Sequence, residues 1–298
     1  MASDPLRMPN YGGQALIEGI LMRGKKTLAA AFRTPEGKIV VKTEELAPMY
    51  SKPYFQWPFI RGLLLLWDAM VLGFRYLTIS ANFQTEEDEK IEGPLFYATI
   101  VFSLGLAVLF FFVLPALLGK LLASLLGWDA SLVNLIEGFI RIGLVIFYLW
   151  IIGRSKEIRR VFMYHGAEHK TINAFEARKP LEISSVQQCS MQHPRCGTSF
   201  ILTVMIVSLF VFFFIGNLSL PMMILTRLVL LIPIVMISYE YIRWTSSHLD
   251  NAFVRWLATP NLALQKLTTS PPTDEMVEVA LAAFKKMLEI ETASTGRA

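Results

Sequence analysis

His165, Glu168 and His169 fall three and four residues apart in the run Tyr164-His165-Gly166-Ala167-Glu168-His169-Lys170. On a helix, residues at those spacings share one face. Two imidazoles and a carboxylate can therefore converge on a single cation, with Glu168 left over as a base. The bland reading is that these side chains only form hydrogen bonds and snorkel along an interfacial helix, because a five-residue pattern also arises by chance.

The order H-x-x-E-H is that of the inverted zinc proteases. Catalytic zinc takes three protein ligands and keeps one position open for water, with a nearby carboxylate to accept a proton. His165 and His169 supply two ligands, so a third must come from elsewhere. Glu240, in Ile237-Ser238-Tyr239-Glu240-Tyr241, ranks first if the site follows the protease pattern, whose third ligand is a downstream glutamate. His193 and Cys196, in Gln192-His193-Pro194-Arg195-Cys196-Gly197, reach the same layer. Together they would instead close a structural site of three histidines and one cysteine. His248 lies further from that layer and ranks below them. Nitrogen, sulfur and carboxylate donors suit Zn2+, although iron, manganese or nickel would fit an overlapping set.

These residues sit among apolar runs. Of the 298 residues, 54% are hydrophobic and the mean hydropathy is +0.47, above the roughly 45–50% apolar share of soluble domains. Leu95 to Leu118 is free of charge, longer than the about 20 residues a bilayer helix needs. Leu132 to Gly153 forms a second span, carrying Glu137 and Arg141. Gly197 to Thr226 is uncharged and is split by Gly216-Asn217-Leu218-Ser219-Leu220-Pro221 into a third span and a fourth, the latter running to Ile242 and carrying Arg227. Charge at such depth needs pairing, so Glu137, Arg141 and Arg227 are expected to cluster.

Arg154 to Thr198 holds eight lysines and arginines, whereas the other two connections hold only Lys120. By the positive-inside rule this loop and both termini are cytoplasmic, in a multi-pass cell-membrane protein. The net charge of +4 then reports topology and attraction to anionic lipid. No nucleic-acid motif accompanies it. Met1 to Tyr11 lacks the apolar core of a signal peptide. Cys189 and Cys196 would face a reducing compartment and remain thiols.

The fold expected is an all-α polytopic membrane protein of four transmembrane helices, with a cytoplasmic N-terminal region, an interfacial helix and a cytoplasmic C-terminal helix. Residues 1–58 form the N-terminal segment. Within it, Thr27 to Arg33 and Lys38 to Thr43 flank Thr34-Pro35-Glu36-Gly37 as a small β-hairpin. The glycine-punctuated run from Tyr11 to Gly24 should bring its backbone close to another element, burying Gln14 and Glu18. Residues 59–84 read as an interfacial or re-entrant helix with Arg61, Asp68 and Arg75 as a polar stripe. An acidic linker, 85–94, follows. Spans one and two occupy 95–153, the motif loop 154–198, spans three and four 199–242, and C-terminal helices 243–298. Pro260 breaks the first part of that last region, and Val277, Ala280, Leu281, Phe284, Met287 and Leu288 form a packing stripe beyond it.

The blocks YGGQALIEGILMRG, FIRG, YHGAEHKTINAFE, HPRCGTSF, ISYE and LQKLTTSPPTDEMVEVAL, in this order, resemble the YqhQ-like family of bacterial multipass membrane proteins. That family is described as a domain of unknown function and as predicted metal-dependent enzymes. The resemblance implies that His165, Glu168, His169, His193, Cys196 and Glu240 occupy family motif positions.

Two functions follow as expectations. One is a membrane-embedded, metal-dependent hydrolase, foremost a metalloprotease acting at the cytoplasmic interface on a membrane protein. The other is a non-enzymatic scaffold or assembly factor in which the His/Cys/Glu layer is structural. A lipid or ion conduit through the charged clusters is a weaker third.

Overall fold

The computed structural model describes residues 11–47, 57–84, 93–216 and 218–295. The signal-peptide reading, on residues 1–10, and most of the acidic linker, 85–92, fall outside them. The expected hairpin is half of a larger sheet. Strands β1 (Gly12–Leu16), β2 (Gly19–Arg23), β3 (Thr27–Arg33) and β4 (Ile39–Glu45) form an antiparallel meander in that order. The glycine-punctuated run from Tyr11 to Gly24 contains the β1–β2 hairpin, turning through Ile17 and Glu18 with Glu18 at φ 48°. Its strands are nearly all apolar, without the alternation of a half-exposed sheet, because both faces are covered. One face packs Ile20, Met22, Ala29 and Ala31 against α5 (Lys156–Glu176) and α10 (Asp274–Thr295), with Phe284 and Met287 fully buried. The other packs Leu21, Leu28 and Phe32 against Tyr76 of α1 (Ile60–Asn82). The α10 stripe is thus packing surface.

Four helices are long and apolar enough to cross a membrane: α1, the continuous 98–126 segment, α4 (Ala130–Ile152) and α8 (Leu220–Ser246). This differs from the expected set. Helix α1 is unbroken for 23 residues and joins the set. The expected third span is α7 (Gly197–Phe213), a shorter apolar helix of 17 residues. The charges of α1 do not form a continuous polar track, since each is neutralised separately. Arg61 pairs with Glu240, Asp68 with Arg23 of β2 and Arg75 with Glu44 of β4. Helix α9 (Ala252–Thr268) runs straight through Pro260, which was expected to break it.

Inside the bundle, Glu137 accepts from Arg141 at 2.5 Å and from both terminal nitrogens of Arg227 at 2.5 and 2.7 Å. The expected cluster therefore forms, and it is buried. A second device supports it. Pro115 has no N–H to offer Phe111 O one turn back, and the helix passes through a π-turn at Leu109–Val113 between α2 (Pro94–Val108) and α3 (Leu114–Leu126). Arg141 Nε takes up that vacant carbonyl at 2.9 Å.

Candidate metal site

Helix α5 starts at Ser155, whose hydroxyl accepts from the Ile158 N–H, with Glu157 in the first turn. The helix then carries His165, Glu168 and His169 inward on one face, as the spacing requires. Gly166 lies between them because α5 crosses the chain after α9 at contact distance. A methyl there would collide with Ser270 O, and the Ser270 N–H already donates to Phe162 O.

The two imidazole rings lie 4.3 Å apart, centroid to centroid. His165 Nδ1 is 2.8 Å from Thr268 O, and His169 Nδ1 is 2.6 Å from Met191 O. A carbonyl only accepts, so each Nδ1 carries a proton, and in the neutral ring each Nε2 then presents a lone pair. Thr268 O is one of the carbonyls that the C-terminus of α9 leaves free. This is the outer-shell arrangement that fixes metal-binding histidines. Cys196, the residue before α7, places Sγ 3.2 Å from His165 Nε2. One donor atom from each of His165, His169 and Cys196 lies within 4.8 Å of the others. Three donors this close together could hold one metal ion.

Glu168 is buried and accepts a hydrogen bond from the Gly13 N–H of β1. Burial pushes its carboxyl up from 4.5 to about 7, against the opposing pull of His165 and the Gly13 N–H. Gly13 has to be glycine here, since a Cβ would stand 2.8 Å from Glu168 Cγ and 2.8 Å from Leu21 O.

His193 borders the same polar cavity of about 80 Å3, large enough for an ion and solvent. Its ring is 5.7 Å from that of His169. Among the described residues its Nε2 has no hydrogen-bond partner at normal distance, and Glu176 Oε2 lies 3.5 Å away. Burial is the main reason that His193 titrates below the ordinary histidine range. Gln265 of α9 grips the His193 backbone through both N–H and C=O.

Glu240 stands apart. It accepts from Arg61 Nε at 2.8 Å and from the Phe59 N–H at 3.0 Å, so it bonds α1 to α8 and does not join the donor set. Spacing in sequence could not distinguish a carboxylate at the right depth from one on the correct side of the bundle. His248 is exposed and bonds Trp244 O at 2.8 Å. Cys189 and Cys196 are free thiols.

Sequence reading missed several residues that hold the site. Buried Lys170 donates to Gln187 O and Cys189 O, and Asn173 donates to Ser190 O and Gln192 O, so α5 itself ties down the loop that supplies Met191 O and His193. Lys170 is the last residue of the motif run, where the sequence alone shows it only as one more positive charge. Glu18 at the hairpin turn binds Arg160 at 2.5 and 2.7 Å and Tyr164 at 3.1 Å, which anchors β1 beside the motif.

Next to the cluster, an open apolar groove of about 530 Å3 runs between α1, α5, α7 and the outer edge of β1, with His165 and Glu168 in its wall. Most of its lining is hydrocarbon, including Met70, Phe74, Phe162 and Ile201.

The family model described as "Protein of unknown function (DUF1385)" matches residues 57–290. The chain belongs to this family. An "Uncharacterized protein YqhQ" of Bacillus subtilis (strain 168) is 33% identical over 305 aligned residues, covering 96% of this chain and 94% of that protein. No solved structure matches the chain. Neither DUF1385 description carries a metal-dependent activity, so the chemistry of this member rests on its own residues.

Proposed function

We propose that this DUF1385 protein is a metal-dependent hydrolase of the membrane interface, most consistent with a metalloprotease, whose site faces the cytoplasm. The observation that carries the reading is the pairing of a preset His/His/Cys donor set with a buried carboxylate on the same helix turn. A zinc ion held by His165 Nε2, His169 Nε2 and Cys196 Sγ would supply Lewis acidity toward water and toward a carbonyl oxygen. Glu168, held in place by the Gly13 N–H, takes the proton of the attacking water on its carboxylate. It then delivers that proton to the departing amine nitrogen. Eight basic residues in the 154–198 loop support the cytoplasmic orientation of the site and of both termini.

The test is elemental analysis of purified protein. One equivalent of transition metal is expected, lost in His165→Ala and in Cys196→Ala. Metal-free wild-type protein that also fails to take up added Zn2+ would refute the reading.

A second reading has its own support in His193, which lines the same cavity and whose Nε2 has no hydrogen-bond partner among the described residues. If that nitrogen swings onto the ion, four protein ligands close the site and leave a structural knot in a scaffold or assembly factor. X-ray absorption separates the two through the outer-shell scattering of the imidazole rings, two rings marking the open site and three the closed one.

A further inference from the structure

The β1–β2 hairpin determines which backbone groups of β1 are already used. Arg33 N–H donates to Glu18 O at 2.8 Å, so in β2 the residues in phase with Glu18, namely Ile20 and Met22, bond toward β3. Gly19, Leu21 and Arg23 bond toward β1, and their partners there are Leu16, Gln14 and Gly12. Gly13 and Ala15 consequently point their N–H and C=O groups off the outer edge of the sheet, which no other strand covers among the described residues. Two observations agree with this phase. The Gly13 N–H reaches Glu168, and the Ile17 N–H, next in the same phase, reaches Ser80 Oγ at 3.3 Å.

That free edge borders the apolar groove, where Gly13 and Ala15 are lining residues and both are only half-buried. Helix α1 covers one face of the sheet and α5 the other, and the groove continues the layer between them. Unpaired strand-edge groups template pairing with another strand, and leaving them unmade against hydrocarbon is costly. A hydrocarbon chain would fill the groove but offers nothing to those groups. An extended polypeptide offers alternating donors and acceptors on one edge and projects side chains onto the apolar walls.

We infer that the groove binds an extended, apolar polypeptide segment as a fifth strand paired to β1 through Ala15. This deepens the hydrolase reading and rests on it for the outcome, though not for the binding. Glu168 already occupies the edge position at Gly13, so a strand paired at Ala15 runs directly into the Glu168 and His165 end of the groove. Its backbone lies about 4.7–4.9 Å from β1. The peptide bond just past the paired residue is the one brought to the carboxylate.

Binding is measured by fluorescence anisotropy on the full-length, Zn2+-treated protein in detergent micelles. The probe is a short fluorescein-labelled peptide of alternating valine, alanine and leucine. A second probe has the same sequence, N-methylated at every residue so that neither of its edges can donate. Ala15→Pro removes only the outward N–H, because Ala15 makes no ladder bond to β2, and proline is tolerated at such an edge position. Peptide affinity is expected to fall about tenfold in Ala15→Pro, the equivalent of about one hydrogen bond, and at least as much for the N-methylated probe on wild-type protein. Equal affinity for both probes would overturn strand pairing and leave an apolar-chain site. No binding of the unmodified peptide would overturn it too, since main-chain recognition tolerates sequence. The two-probe comparison needs no variant and so does not depend on how Ala15→Pro folds. Peptide bound in this manner but never cut would sink the hydrolase reading while supporting this one.

Discussion

Glu168→Gln is expected to make the metal-free protein more stable at alkaline pH and to suppress the activity of the metal-loaded protein. Glutamine keeps an acceptor for the Gly13 N–H and nearly the same shape, so the contact between α5 and β1 survives. The difference lies in ionisation. The unfolded chain releases this proton near 4.5, whereas the buried carboxyl holds it to about 7. Between those values the unfolded state binds fewer protons than the folded state, so wild-type stability falls as pH rises through the window and levels off above it. Moving one ionisation from 4.5 to about 7 corresponds to about 3 kcal/mol. The glutamine variant carries no such slope. Denaturant unfolding of chelator-treated protein in micelles should show the two proteins close together at about pH 4, with the variant ahead by about 3 kcal/mol at about pH 8. In the metal-loaded protein, peptide turnover should fall by about 10²–10⁴, or about 3–5 kcal/mol on the barrier. Equal pH slopes for the two proteins would refute the burial argument. Undiminished turnover would remove Glu168 from the chemistry.

Glu240→Gln should leave bound metal unchanged and weaken only the α1–α8 contact; a loss of metal on elemental analysis would return Glu240 to the ligand set. Replacing Glu137 by leucine strands Arg141 and Arg227 face to face inside the bundle, and unfolding in micelles should register a loss of about 3–5 kcal/mol. Restoring a carboxylate as Glu137→Asp should recover part of it. Gly166→Ala pushes α5 away from Ser270 O at an overpacking cost of about 1–3 kcal/mol. It also displaces Thr268 O from His165 Nδ1, so zinc affinity measured by competition with a chelator should drop more than in a Gly143→Ala control, where a methyl meets nothing within 4 Å.

Spacing along the chain was enough to bring His165, Glu168 and His169 to one face, because helix geometry acts over a single turn and needs no tertiary information. Uninterrupted apolar length marked the 98–126 segment, α4 and α8 but not α1, whose apolar run is interrupted by charges that only the fold pairs, and the cost of buried charge tied Glu137 to Arg141 and Arg227. Local pattern also marked the α10 stripe. It failed on β1 and β2, whose two covered faces erase the alternation that announces a strand, and on α9, where packing carried a helix through Pro260. Whether Cys196 or Glu240 completes the donor set was decided by which side of the bundle each helix end occupies, a long-range matter that residue type and depth do not encode. The same holds for the carbonyls of Thr268 and Met191 that turn two imidazoles toward one point, and for the sheet edge at Gly13. Backbone groups carry no sequence label, and only the fold brings them to the site.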